Sequence, residues 1–287
     1  MGLTYDALLR DTAVALTAAG IDNVRFEARL LLSHATGLPT EALISRGRDS
    51  APPAVEEKLR ALTARRVRRE PMAYILGERE FWGLPFKVSP AVLVPRPDSE
   101  TVIETALSLL GDRTHAWRLL DLGLGSGCLL LTLLKELPDA RGVGLDVSRE
   151  ALAVAESNAE ALGVADRASL LHGDWRQPDW TQPLGGPFDL VVSNPPYIEA
   201  GTIDGLMPEV ARYEPRLALD GGPDGLAPYR LIAAVAPQLI APDGHLLVEI
   251  GEGQAIEITR LFEAAGLRPG APVKDLGGID RVLRATH

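Results

Sequence analysis

The sequence predicts an α/β protein, a Rossmann-like, mostly parallel seven-stranded sheet preceded by a small helical domain, and three observations carry this. From about residue 117 onward, apolar runs of strand length alternate with longer amphipathic runs, the pattern of a parallel sheet with helices on both faces. The first seventy residues show helical spacing and no strand pattern of useful length. Several apolar runs then break at their C-terminal ends into a glycine, a carboxylate or an asparagine, where open parallel sheets bind ligands.

In the N-terminal part Leu8, Leu9, Leu16, Leu30, Leu31 and Leu32 recur at helical spacing, with Gly20 and Gly37 placed as stops. Pro52 and Pro53 suit a helix start, and that helix is expected to run to Glu70, where Pro71 ends it. Its Lys58, Arg60, Arg65, Arg66, Arg68 and Arg69 make the one concentrated basic surface, fit for an acidic partner or RNA, although a solvated helix face is the commoner explanation. Tyr74–Gly77, Glu78–Trp82 and Leu84–Val88 read as a hairpin or paired extended segments. The expected domains are residues 1–72, helical; 73–89, a linker hairpin; and 90–287, the catalytic domain.

Val92–Pro97 reads as extended, and Asp98 as the cap of a helix over about 99–110. Strands are then expected at 117–122, 141–146, 168–173, 188–193 and 244–250, and helices at 126–137, 148–162, 226–240 and 252–265. Residues 272–275 and 281–285 are two terminal strand candidates able to pair across Gly277-Gly278.

Composition narrows the function. With 287 residues and 46% hydrophobic content the chain has enough apolar material for real cores. It has no apolar run of about 18 residues, and its N-terminus lacks the basic and apolar regions of a signal peptide. A single cysteine, Cys128, cannot form an internal disulfide, so a cytoplasmic location is expected. The formal net charge of -10 opposes binding to a phosphate backbone, so no DNA partner is expected. The five histidines are scattered without ligand spacing, and no metal site is expected. A monomer with no membrane association is the expectation.

Asp121-Leu122-Gly123-Leu124-Gly125-Ser126-Gly127-Cys128 follows the first strand of the sheet. Its glycines permit a tight turn and close approach of backbone to ligand. A dinucleotide fingerprint would place its third glycine at position 128, so G-x-G-x-G fits NAD less well than S-adenosyl-L-methionine. That cofactor's amino-acid end needs carbonyls, amides and a carboxylate such as Asp121; a tight strand-to-helix turn explains the glycines equally well. Asp146, about 20 residues past the loop, can accept from both hydroxyls of an adenosine ribose. After the third strand, Asp174 can accept from the adenine amine and Trp175 can stack on the ring, although a surface turn with a buried tryptophan fits the same residues. Phe188–Ser193 ends in Asn194-Pro195-Pro196-Tyr197. The Asn194 side-chain carbonyl and the Pro195 backbone carbonyl together can take both hydrogens of a planar amide or exocyclic amine, with Tyr197 offering a flat face. A turn after a strand is the plainer reading of Asn-Pro-Pro alone.

At Glu70–Gly77, Glu80–Gly83, Val94–Glu100, Asp121–Gly127, Asn194–Tyr197 and Asp275–Arg281 the chain resembles the PrmC/HemK family, within the class I S-adenosylmethionine-dependent methyltransferases. Leu124 stands where a small polar residue is frequent. The resemblance implies methylation of the side-chain amide of the glutamine in the Gly-Gly-Gln loop of peptide-chain release factors, with residues 1–72 as the substrate-recognition domain. It implies cofactor contacts at Gly123 to Gly127, Asp146, Trp175 and Asn194, and acceptor contacts from Asn194, Pro195, Pro196 and Tyr197. Two other acceptors share the chemistry: a glutamine of a ribosomal protein, and the adenine amine of a nucleic acid, since NPPY also occurs in adenine-amino methyltransferases.

Overall fold

The computed structural model describes residues 2–287, which divide into two compact units. One reaches from the N-terminus to Gly77 and includes Met207–Tyr213; the other comprises Glu78–Leu206 and Glu214–His287.

The first unit is helical, as its spacing requires: α1 (Tyr5–Ala18), α2 (Val24–Thr36), α3 (Thr40–Ser45), α4 (Pro53–Val67) and α5 (Met72–Leu76). Its core gathers Leu8, Leu16, Leu31, Leu32, Leu43, Leu59 and Leu62. Thr4 caps α1 by accepting from the Ala7 amide, and Gly37 closes α2 in the left-handed conformation. Two local expectations need correction. Helix α4 stops at Val67 rather than Glu70, because Arg69 takes a positive φ of 70° and turns the chain before Pro71 is reached. Tyr74–Leu76 is helical, not extended, since Pro71 sets the entry to α5 and a left-handed Gly77 ends it.

The basic run on α4 is largely neutralised within the unit. Arg66 is buried, with Nε 2.7 Å from one Glu27 oxygen and Nη1 2.9 Å from Glu209. Arg69 Nη2 donates to Glu209 at 2.9 Å, Arg65 pairs with Glu70, and Lys58 caps the His34 carbonyl. A solvated face is therefore not the explanation for Arg65, Arg66 and Arg69: they hold the elements of the unit to one another.

The second unit opens with an antiparallel hairpin, β1 (Glu78–Phe81) and β2 (Leu84–Lys87), turning at Trp82-Gly83. A 3₁₀ turn at Pro97–Ser99 leads into α6 (Glu100–Leu110). Asp98 lies inside that turn instead of capping the helix; its carboxylate is 3.4 Å from the Arg281 guanidinium. Then come β3 (Arg118–Leu122), α7 (Cys128–Glu136), β4 (Arg141–Asp146), α8 (Arg149–Leu162), β5 (Ala168–His172) and β6 (Phe188–Ser193). After α9 (Pro208–Tyr213), which belongs to the first unit, follow α10 (Ala227–Leu239), β7 (Ile240–Glu249), α11 (Ala255–Ala264), β8 (Arg268–Pro269), β9 (Val273–Lys274) and β10 (Asp280–Thr286).

The sheet runs β5-β4-β3-β6-β7-β10-β8, with β9 also paired to β10. The first five strands are parallel, and β10 is antiparallel to β7, β8 and β9. The expected terminal hairpin forms, with Asp280 opposite Lys274, whereas β8 has no counterpart among the predicted strands. Alternation along each strand feeds two cores. Leu119, Leu190, Val192, Leu247 and Val282 face α6, α7 and α8; Leu120, Leu122, Val191, Leu246, Val248 and Leu283 face α10 and α11. Strand order reverses at β3, so the crevice beyond the carboxyl ends of β3 and β6 is a topological switch point.

Candidate functional site

A cavity of about 630 Å³ opens at that switch point. Its walls include Asp121 near the end of β3 and Gly123 to Ser126 after it, Asp146 at the end of β4, Asp174 and Trp175 after β5, and Asn194 and Pro196 after β6. Four strand ends widely separated in sequence thus meet at one site.

The loop after β3 is held open by its glycines. Gly123, Gly125 and Gly127 have φ of 81°, 56° and 81°, and a Cβ on Gly127 would stand 2.7 Å from a Leu131 methyl. The amides of Gly123 and Leu124 donate to the Leu145 carbonyl, and Gly125 donates to Asp146 Oδ2 at 2.8 Å. Asp146 Oδ1 accepts from the Ser148 amide at 2.8 Å, which fixes the carboxylate against both loops. Asn158, buried on α8, donates to the Ser126 carbonyl and exchanges hydrogen bonds with both backbone groups of Lys87, tying the hairpin to the loop. Leu124 packs its side chain where a Cβ on Gly144 would otherwise lie, so a large residue there is seated in the core and leaves the backbone path intact.

Asp121 is 1% exposed and accepts from the Leu130 amide through Oδ2 at 3.3 Å, while Oδ1 has no hydrogen-bond partner. Burial, reinforced by the charge of Asp146 and only partly offset by the Leu130 amide, raises its pKa to about 8. Asp146 is raised as well, chiefly by burial. An orphaned acceptor on a buried carboxylate, a second, half-buried carboxylate and a Gly-rich cradle suit a ligand that is cationic at one end and carries a ribose at the other. S-adenosylmethionine has this chemistry.

Asp174 lines the cavity, but both its oxygens are gripped by Arg176, at 2.8 Å from Nε and 2.8 Å from Nη2; these hydrogen bonds hold its carboxyl below the ordinary range. Trp175 stands beside Gly123. Cys128 also lines the cavity, and burial pushes its thiol up to about 12.

The structure separates the four residues of the turn after β6. Asn194 and Pro196 line the cavity, whereas Pro195 is buried and Tyr197 points inward, its hydroxyl 3.4 Å from Glu249 Oε1. The Tyr197 carbonyl accepts from Gln254 at 3.0 Å. Asn194 donates through Nδ2 to Ser99 Oγ at 3.3 Å, which places the carbonyl end of the same planar amide on the opposite side. In the sequence Ser99 is flagged only as a member of the Val94–Glu100 segment, and Glu249 not at all. One is a serine in a Pro-rich turn and the other the last residue of an apolar strand, and only the fold brings them to Asn194.

Among the described residues there is no group of three or more His, Cys, Asp or Glu arranged for a metal, and no helix long and apolar enough to cross a membrane.

Residues 7–77 match the PrmC N-terminal domain and residues 101–210 the methyltransferase small domain. A release factor glutamine methyltransferase of Rhodospirillum rubrum is 46% identical over 99% of this chain and 85% of its own length. One from Bradyrhizobium diazoefficiens is 44% identical over 99% of this chain and 95% of its own. In fold, a methyltransferase from Pyrococcus furiosus superposes with a TM-score of 0.51 at 17% identity, covering 71% of this chain and 89% of that one. At such identity over nearly the whole length, the chain belongs to the release factor glutamine methyltransferase family.

Proposed function

We propose that this protein transfers a methyl group from S-adenosylmethionine to the side-chain amide nitrogen of the glutamine in the Gly-Gly-Gln motif of peptide-chain release factors. The observation that carries the site assignment is the position of Asn194: an amide at the end of β6, in the same cavity as the glycine loop, Asp121 and Asp146. The cofactor supplies an electrophilic methyl on a sulfonium. The Gly123–Gly127 loop and Asp121 would hold its amino-acid end, Asp146 its ribose, and Trp175 and Asp174 its adenine.

An amide nitrogen is a weak nucleophile because its lone pair is delocalised into the carbonyl. The Asn194 carbonyl and the Pro195 backbone carbonyl accept the two hydrogens of that amide, which stabilises the positive charge developing on nitrogen and aligns it with the methyl. The Pro195 carbonyl makes no hydrogen bond to another described residue, in keeping with that role. Pro196 shapes the wall beside it, and Tyr197 braces the turn from within. The site provides for transfer without an obligatory general base, since the methylated nitrogen becomes acidic enough to release its proton to water.

The helical unit serves to recognise the protein substrate, the hairpin acts as linker, and the protein is a cytoplasmic monomer without affinity for DNA. The test is mass spectrometry of a release factor incubated with the protein and S-adenosylmethionine: one added methyl on the loop glutamine is expected. Asn194→Ala should lower turnover by roughly 10²–10³-fold while changing cofactor affinity little, on the scale of losing one charge-stabilising contact. Near-normal turnover of that variant would remove Asn194 from the reaction. Transfer only to a ribosomal protein or to nucleic acid would overturn the assignment of the acceptor.

A further inference from the structure

Behind Asn194 lies a buried polar chain that the functional reading leaves unused. Glu249, the last residue of β7, is 1% exposed. Its Oε1 is 3.4 Å from the Tyr197 hydroxyl, and its Oε2 is buried with no hydrogen-bond partner. Ser99 is 2% exposed; its hydroxyl stands beside the carboxylate, favours the ionised form, and receives Asn194 Nδ2 at 3.3 Å. The Glu249 backbone carbonyl accepts from Tyr229 at 2.8 Å, so the strand end that carries the carboxylate is itself fixed.

We propose that Glu249 is a positioning residue for methyl transfer, acting through Ser99 to set which end of the Asn194 amide faces the acceptor. This rests on the reading that Asn194 Oδ1 accepts from the substrate amide. An ionised carboxylate only accepts, so the Ser99 hydrogen turns toward the Glu249 carboxylate. The Ser99 oxygen is then left with lone pairs alone and draws the NH2 end of Asn194. The carbonyl end, the one useful to an incoming amide, is directed at the cavity. If Glu249 is protonated it can donate instead, Ser99 can donate onward, and the Asn194 carbonyl is drawn inward.

The groups that set the charge on Glu249 come from every side. Arg281 on β10 favours ionisation, while Asp98 opposes it; Tyr197 donates from the turn, and the neutral Tyr229 and Cys128 close the other approaches. Burial outweighs the stabilising contacts and raises the carboxyl to about 7. The productive arrangement is therefore present above that value and lost as pH falls through it.

The test compares the full-length wild-type protein with Ser99→Ala, Ser99→Thr and Glu249→Gln in methyl transfer to a release factor, with S-adenosylmethionine affinity measured separately. Ser99→Ala is expected to lower kcat by roughly 10- to 100-fold, the scale of a misdirected contact group, with cofactor affinity little changed. Ser99→Thr, which keeps the hydroxyl, should restore most of the rate. Wild-type kcat should fall below about pH 7, and both Ser99→Ala and Glu249→Gln should lose that limb. The side-chain NH2 resonances of Asn194, followed by NMR without any acceptor, should titrate near the same pH in wild type and not in Glu249→Gln.

Ser99→Ala with unchanged kcat, or Asn194 resonances that stay indifferent to pH around that value, overturns the proposal. A wild-type enzyme inactive on release-factor glutamine overturns the functional reading instead, and the NMR titration then decides the relay by itself. Should Glu249→Gln fail to fold, the Ala and Thr pair at Ser99 and the wild-type titration decide between the relay and its absence.

Discussion

Replacing Asp121 by asparagine is expected to make the ligand-free protein more stable and the cofactor complex weaker. In the folded protein this carboxyl ionises only near pH 8, against 3.8 for an ordinary aspartate, because it is buried beside Asp146 with one oxygen unpaired. The native state thus holds a proton that the unfolded chain has released between those two values, so this group's contribution to stability falls as pH rises from about 4 to 8. At pH 7, roughly three units above the unfolded value, the proton uptake amounts to something on the order of 4 kcal/mol. Asparagine keeps an acceptor for the Leu130 amide but buries two amide hydrogens with imperfect partners, which costs about 1–3 kcal/mol. The net gain at pH 7 is about 1–3 kcal/mol. For a unit of this size that is a rise of roughly 2–4 °C in Tm per kcal/mol. The gain should vanish as pH falls toward about 5 and reverse near pH 4, where aspartic acid is protonated or nearly so in both states and only the cost of burying the amide, about 1–3 kcal/mol, remains. In calorimetry the cofactor should bind roughly 10- to 100-fold more weakly, the loss of one charge-assisted hydrogen bond. A variant no more stable than wild type at pH 7, or one with unchanged cofactor affinity, would refute this account of Asp121.

Two further perturbations probe the scaffold. Arg66→Ala leaves half-buried Glu27 without its cation and Glu209 with Arg69 alone; urea unfolding at neutral pH should show a loss of about 3–5 kcal/mol. In the wild type, hydrogen bonds from Arg66 overcome the cost of burial and hold Glu209 below its ordinary range, so the stability it lends is present at neutral pH and lost as pH falls below about 4.5. Gly127→Ala places a methyl 2.7 Å from Leu131 at a φ of 81°, which should cost about 1–3 kcal/mol in thermal unfolding and weaken cofactor binding, since the loop must move to accommodate it.

The sheet is legible in the sequence because each parallel strand is a nearly continuous apolar run with a glycine or polar residue marking its end. The wall of the cavity is legible for the same reason, since Asp121, Asp146 and Asn194 stand at those ends. What stays hidden depends mostly on contacts distant in sequence. Tyr74–Leu76 has the β-branched and aromatic character of a strand, yet two flanking conformational constraints, Pro71 and Gly77, close it into a turn of helix. Asp98 has a capping residue's identity, but Arg281, nearly two hundred positions later, takes it elsewhere. The basic run on α4 reads as exposed because Glu209, its main counter-charge, lies about 140 residues away. Asp174 taken alone is a free acceptor, and Arg176, two residues on, grips both its oxygens. Ser99 is one residue of the Val94–Glu100 segment with no role marked for it, and Glu249 lies outside every motif; burial makes their polarity consequential.

The edge of the sheet beyond β10 is not one strand but two fragments of two residues each, β8 and β9, with Pro269 in the first and Pro272 just before the second. Proline offers no amide hydrogen, and neither fragment is long enough to template an added strand. A nascent or stressed copy of the protein meets no continuous row of free donors and acceptors there, so the antiparallel side of the sheet is also protected against edge-to-edge self-association.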